Sequence, residues 1–339
     1  MEVKNMISQM AQPVLVTGAT GFIGSRVVHK LIQNEIAVKI LALPGEAVPA
    51  EWTDYVEIFR GSISDLPTVE KAAAGAKTII HLVAVVTDWG DAKKYWEFTV
   101  EGSRKIFNQA VKNKARLVLA SSIVVYGDKI YSQSCTEETS FGKTFGLYSR
   151  TKQAQEKLAW DYYQNKGMNL TVVRPANVYG PRSGPWLHDV VNVLRSGSPG
   201  LISGGNFNAG LAYVDNVADI LILAGSTEIA VGRAYNASDG TDITWKRYFT
   251  DVAEMIGSKK PKSIPRPFAV FGAYFLEGIW KNLGIQKRPL ITCEALNLIG
   301  SDNRIPIDRV NKELGYTPKI SYAEGLKLTK TYIDQELKR

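Results

Sequence analysis

The feature that most limits how this chain can fold is the run Val-Leu-Val-Thr-Gly-Ala-Thr-Gly-Phe-Ile-Gly at residues 14–24. Three aliphatic residues form a short buried strand, and glycines at 18, 21 and 24 follow with G-x-x-G-x-x-G spacing. Ile23, Val27 and Leu31 then recur every four residues, which is one face of a helix. A strand passing into a helix through such a turn makes a phosphate cradle. Side chains in the turn would hold a diphosphate away from the backbone N–H groups, and the helix N-terminus adds partial positive charge. The pattern predicts that Gly18, Thr20, Gly21, Phe22, Ile23 and Gly24 contact a dinucleotide.

Further short aliphatic runs at residues 38–43, 56–59, 78–83, 117–120 and 170–173 alternate with helical stretches. That alternation predicts an α/β fold, a doubly wound parallel sheet of the Rossmann type with ligands at the carboxyl edge of its strands. After Pro175 the chain becomes rich in Gly and Pro and less regular. We expect a dinucleotide-binding domain over 1–180 and a smaller C-terminal substrate-binding cap formed mainly by 181–339. One further strand near 233–237 is expected to return to the sheet.

Two cysteines without CxxC spacing and three scattered histidines argue against a disulfide framework or a metal centre. The net charge of +8 reads as scattered basic residues, with no block that points to nucleic acid. The N-terminus lacks the apolar stretch of a secretion signal, so a cytoplasmic location is expected. Residues 268–285 are strongly apolar, but Glu277 and Lys281 interrupt them. This segment could line an apolar pocket, form a homodimer face, or rest peripherally on a membrane.

Tyr148 and Lys152 lie four residues apart on one helix face. A phenol with an ordinary pKa near ~10 is a poor base, and a neighbouring ammonium favours its ionised form. The pair can therefore move a hydroxyl proton while hydride leaves carbon. Tyr162 and Lys166 share the spacing, so spacing alone decides nothing. The Ser121-Ser122 pair ending the run at 117–120 singles out Tyr148, since Ser122 there can bond a substrate oxygen.

These segments, TGATGFIG, SSIVVYG, YSRTK, RPANVYGPR at 174–182, YVDNVAD at 213–219 and ELGYTP at 313–318, resemble the extended short-chain dehydrogenase/reductase family. The likeness spans nearly the whole chain. It implies Tyr148 as acid/base, Lys152 as the residue orienting both it and the nicotinamide ribose, and Ser122 as the catalytic serine. It also implies contacts to NAD or NADP from Ser62, Ile63, Lys152, Pro175 and Asn177. The form of the cofactor is open, because the second strand ends Leu41-Ala42-Leu43-Pro44 with neither acid nor arginine. Arg26, Lys39 and Arg60 are candidates for a 2′-phosphate. Gly61-Ser62 departs from the family's Gly-Asp, and Thr99 stands where an Asn is usual.

For the small-molecule substrate, the arginine typical of nucleotide-sugar enzymes is missing from residues 208–212. Trp89 and the aromatics Phe268, Phe271, Tyr274, Phe275 and Trp280 suggest an apolar pocket. The chain most resembles the 3β-hydroxysteroid dehydrogenase-like branch, which interconverts secondary alcohols and ketones. A nucleotide-sugar epimerase or dehydratase, in which the resemblance lets Asn177 meet a diphosphate, is the alternative, and an inactive dinucleotide-sensing protein is a third.

Overall fold

A computed structural model describes residues 7–337. Each aliphatic run becomes a strand of one parallel sheet: β1 Val14–Thr17, β2 Val38–Ala42, β3 Val56–Arg60, β4 Thr78–His81, β5 Arg116–Ala120 and β6 Asn169–Pro175. The chain then builds β7 Asn177–Tyr179, β8 Pro199–Ile202 and β9 Leu211–Tyr213. It returns with β10 Arg233–Ala237 and adds β11 Lys262–Ile264. The large sheet has the order β3-β2-β1-β4-β5-β6-β10, and β7/β9 and β8/β11 form two small parallel pairs. The order reverses between β1 and β4, so the loops leaving these strands part and open a crevice at the carboxyl edge.

The longer helices are α1 Phe22–Gln33, α2 Leu66–Ala73, α3 Gly102–Asn113, α4 Leu147–Lys166, α5 Asp189–Ser196 and α6 Val214–Ser226. They continue with α7 Trp245–Met255, α8 Arg266–Asn282, α9 Cys293–Ile299, α10 Asp308–Leu314 and α11 Tyr322–Tyr332. Alternation along a strand sends successive side chains to opposite faces. Val14 and Val16 pack with Val27, Leu31 and Ile220 of α1 and α6. Leu15 packs on the other side with Val69, Ile106, Phe107 and Ala159 of α2, α3 and α4. A small third core, with Ile202, Ala269, Ala273, Cys293 and Leu296, holds α8 against α9 in the cap.

The strand expected over 78–83 ends at His81. Beyond it the chain leaves the sheet and reaches the cap, where Trp89 Nε1 donates to the Ile285 carbonyl at 2.9 Å. Asp88 takes a two-pronged ion pair from Arg288, with N···O distances of 2.5 and 2.6 Å. It also accepts from the Thr292 hydroxyl at 2.6 Å.

Candidate active site

The three glycines of the cradle have separate reasons. Gly18 has φ +70°, which L side chains rarely adopt. At Gly24 a Cβ would sit 2.0 Å from the Gly18 carbonyl oxygen, so only glycine lets α1 start this close to the loop. Gly21 is exposed, and its added Cβ would meet only that same oxygen, at 3.1 Å. That contact is tight but leaves the exposed side of the loop open to a ligand. The first turn of α1 carries no side-chain cap and no acidic residue, which leaves the N–H donors of the Phe22–Ile23 turn for an anion. The donor set fits a dinucleotide diphosphate. Arg182, not singled out in the sequence, donates to the Thr20 carbonyl at 3.1 Å and brings a cation to the loop.

Asp215 and Asp219 of YVDNVAD brace the cradle from behind. Asp215 pairs with Arg26 at 2.8 Å and Asp219 with Lys30 at 2.8 Å, tying α6 to α1. Arg26 is thus engaged away from a 2′-phosphate. Lys39 is also engaged, since it donates to the Ala74 carbonyl at 2.8 Å and lies over the Phe59 ring. Arg60 donates to the backbone carbonyls of Leu43 (3.2 Å) and Glu46 (2.6 Å). An acid does stand near the end of β2, four residues beyond Ala42. Glu46 accepts from the Thr20 hydroxyl at 2.6 Å and from the Leu43 N–H at 3.0 Å.

Other positions assigned to the cofactor turn inward. The Ser62 hydroxyl bonds Ser64 Oγ at 2.8 Å and closes a turn, and Ile63 is buried against Gly102, where a Cβ would come within 2.8 Å. Pro175 ends β6, paired with Ala237. Asn177 does not present its amide as expected. It is buried in the β7/β9 pair, where its Nδ2 donates to the Ala209 carbonyl at 2.7 Å.

A helix normally buries an apolar stripe, yet α4 buries Ser149, Thr151, Lys152, Gln153, Gln155 and Glu156. Each of these polar groups has a partner. Tyr148 lies in the first turn, its phenol beside Ser122, which favours the ionised form. Burial, and the negative field of Glu294, push that phenol up to about 12. Lys152 sits one turn on, with Nζ 2.8 Å from the Ala120 carbonyl and 2.8 Å from Gln155 Oε1. Burial brings it down to about 7, against the opposing pull of Glu156. The four-residue spacing predicts an ammonium that favours the ionised phenol. In the folded chain Lys152 Nζ turns to the Ala120 carbonyl, and burial opposes ionisation of both groups.

Gln155 donates to Ser103 Oγ at 2.8 Å, His81 Nε2 lies 2.8 Å from the same oxygen, and His81 Nδ1 is 2.6 Å from the Thr17 hydroxyl. Burial pulls His81 down to about 3, so its ring is neutral. This chain of contacts connects the end of β1 to Lys152. Thr99 holds the Val85 N–H at 3.0 Å and accepts at its carbonyl from Ser103 at 2.5 Å, so the departure from Asn still fixes the loop after β4.

Ser121 and Ser122 separate cleanly. Ser121 donates to Glu156 at 2.5 Å, within a buried cluster where Arg174 also grips that carboxylate, the shortest contact being 2.6 Å. Only Ser122 faces Tyr148. The second pair at the same spacing is structural, because Tyr162 donates to Asn108 at 2.8 Å and Lys166 lies 3.9 Å over the Tyr162 ring centre.

Glu294, on cap helix α9 and absent from the sequence argument, completes the site. Its Oε1 accepts from the Ser149 N–H at 2.7 Å, serving an α4 whose N-cap is Gly146 and has no side chain to offer. Its Oε2 is buried without a partner and faces Gly146, where a Cβ would lie 1.9 Å away. Desolvation and the charge of Asp88 push this carboxyl up to about 8. Tyr95, whose field also reaches Tyr148, lines a cavity of about 500 Å³ with Val85, Thr87, Gly90, Asp91, Lys94 and Gln286. Phe268, Phe271, Tyr274 and Phe275 do not line a pocket. They project outward from α8 with 55–70% of their surface exposed, because the inward face of that helix is taken by Ala269, Ala273 and Glu277.

Fold and site define an enzyme of the extended short-chain dehydrogenase/reductase type, working with a nicotinamide dinucleotide. The chain belongs to the NAD dependent epimerase/dehydratase family, whose profile matches residues 14–238. It is similar to the 4-hydroxy-2-methyl-3-oxo-4-farnesyl-3,4-dihydroquinoline-1-oxide ketoreductase of Stigmatella aurantiaca, at 24% identity over 92% of this chain and 93% of that one. It is also similar to isoform 1 of the 3beta-hydroxysteroid-dehydrogenase/decarboxylase of Arabidopsis thaliana, at 24% identity over 93% and 78% of the two chains. A UDP-glucose 4-epimerase of Thermotoga maritima, solved with UDP-glucose, superimposes with TM-score 0.75 at 23% identity, covering 96% of this chain and 99% of that one.

Proposed function

We propose that the protein interconverts a secondary alcohol and a ketone on an apolar substrate of the 3β-hydroxysteroid or β-hydroxy/β-keto class. The observation that carries the chemistry is the placement of Tyr148 beside Ser122 at the sheet's carboxyl edge, one helical turn from Lys152. Residues 18–24 would hold the nicotinamide dinucleotide, which would supply or accept the hydride. Tyr148 holds the proton: as a neutral phenol it donates to a carbonyl oxygen undergoing reduction, while Ser122 hydrogen-bonds that oxygen. Lys152 ties the tyrosine end of α4 to the end of β5 through the Ala120 carbonyl.

The apolar assignment is supported by what surrounds Asn177. Its amide is engaged with Ala209, and Ala209, Leu211 and Ala212 are buried with no cation among them, so a sugar diphosphate would find no charge-assisted contact there. The two curated relatives described above are named for a ketoreductase and a hydroxysteroid activity, in keeping with this reading. For the cofactor we infer NAD, because Glu46 beside Thr20 would repel a 2′-phosphate and can accept from ribose hydroxyls.

A turnover panel crossing NAD and NADP with hydroxysteroids, β-hydroxy acids and UDP-sugars, read by nicotinamide absorbance and by sugar product analysis, tests both parts. Turnover of a UDP-sugar with none of the alcohols would overturn the substrate assignment. Preference of the wild type for NADP would overturn the cofactor assignment.

A further inference from the structure

The basic residues are not scattered evenly along the chain. Between residues 259 and 290 the only acid is Glu277 against seven basic residues, which gives this segment +6 of the chain's +8. Lys281 is paired with Glu277 and Arg288 with Asp88. Lys259, Lys260, Lys262 and Lys287 are exposed and flank the two ends of α8.

Between these cations α8 turns four aromatic side chains outward. Phe268, Phe271, Tyr274 and Phe275 are spaced for one helix face, and the Phe271 and Phe275 rings stack at 5.8 Å. Leu283 and Leu290, each 68% exposed, continue the apolar surface past the helix. An exposed aromatic patch ringed by cations marks a contact face. A second copy is a poor occupant, because a two-fold interface would set the exposed Lys259, Lys260, Lys262 and Lys287 of one copy against those of the other. Among the described residues no helix is long and apolar enough to cross a membrane. The combination of an outward aromatic stripe and flanking lysines instead fits a helix lying in the plane of an anionic lipid surface.

We propose that α8 and its lysine-rich flanks dock this protein on anionic membranes, the aromatic rings entering the headgroup boundary. Gln286, just past α8, lines the 500 Å³ cavity, and Ile285 anchors Trp89 of the loop above it. Docking would therefore place the cavity wall beside the lipid, where an apolar substrate concentrates. The inference is independent of the reaction assigned above, since vesicle binding needs no substrate.

The test is co-sedimentation of the full chain with phosphatidylcholine vesicles, with and without about 30% phosphatidylglycerol. Wild type is expected to bind the anionic vesicles and to leave them as salt rises. Phe271→Ser/Phe275→Ser and Lys259→Glu/Lys260→Glu should each lower binding at least tenfold with an unchanged melting temperature. Phe271→Trp, which keeps a ring at the contact, should be quenched by brominated lipid. Wild type remaining in the supernatant at low salt would overturn the proposal. So would a dimer in sedimentation velocity that Phe271→Ser/Phe275→Ser converts to monomer, since a second copy would then cover the face.

Discussion

Replacing Glu294 with Gln should change how stability depends on pH, and the structure sets both sign and ceiling. In the unfolded chain this carboxyl ionises near its ordinary 4.5, whereas in the folded protein burial holds its proton until about 8. Between those values the folded state binds more protons than the unfolded, so stability falls as pH rises and levels off above about 8. At ~1.4 kcal/mol per tenfold, ionising the buried group costs the native state up to about 5 kcal/mol. The substituted glutamine would keep an acceptor for the Ser149 N–H and place an NH₂ where the protonated oxygen was. The two proteins should therefore match at pH 5. At pH 9 the variant should melt higher, by roughly 7 °C at most if unfolding entropy is about 2 cal/mol/K per residue. Thermal unfolding followed by circular dichroism at both pH values measures the difference, and other titrating groups cancel in the comparison. Equal offsets at pH 5 and pH 9 would refute the reasoning.

Tyr148→Phe should lose on the order of 10²–10⁴ in turnover yet keep its dinucleotide affinity, because the ring stays and only the proton carrier goes. Tyr162→Phe should leave turnover intact and lose about 1 kcal/mol of stability with the Asn108 bond, as seen by chemical denaturation. Ser122→Ala should lower kcat by about 10²-fold if its hydroxyl bonds the substrate oxygen. Ser121→Ala should instead destabilise by about 1–3 kcal/mol through the loss of one partner at Glu156, and a kcat loss as large as that of Ser122→Ala would reverse the assignment. Gly21→Val should fold and weaken NAD binding in calorimetry, whereas Gly24→Ala should lower the melting temperature, its Cβ striking the Gly18 carbonyl.

The sheet is legible because a parallel strand covered on both faces must be aliphatic throughout, and runs such as residues 38–43 and 117–120 announce it. The strand after Lys77 is two residues shorter than its pattern suggests, since aliphatic character continues past His81 into a loop that leaves for the cap. The placement of Tyr148 and Lys152 one turn apart on α4 is also visible. Glu294 is not, because it meets Ser149 across 145 residues and nothing local marks a glutamate on a short helix as an N-cap for another element. Arg182 and Glu46 escape for the same reason, each gaining its meaning from contact with the Thr20 turn. Asn177 misleads because a position in a motif does not say which way an amide faces. The aromatics of 268–275 mislead because hydrophobicity does not distinguish a pocket wall from an outer face.

The contacts between Thr17 and Lys152 have a further consequence when donors and acceptors are assigned. Ser103 has one proton, and it goes to the Thr99 carbonyl. It must then accept from both Gln155 and His81, which places the imidazole proton on Nε2 and leaves Nδ1 to accept from Thr17. Every polar atom along the path has a single permitted role. A proton could travel it only if several hydroxyls and an amide reversed together, in a region closed to water. The chain is therefore a clamp and not a wire: it transmits position from the start of the dinucleotide loop to the lysine, and it insulates that lysine from proton exchange on this side.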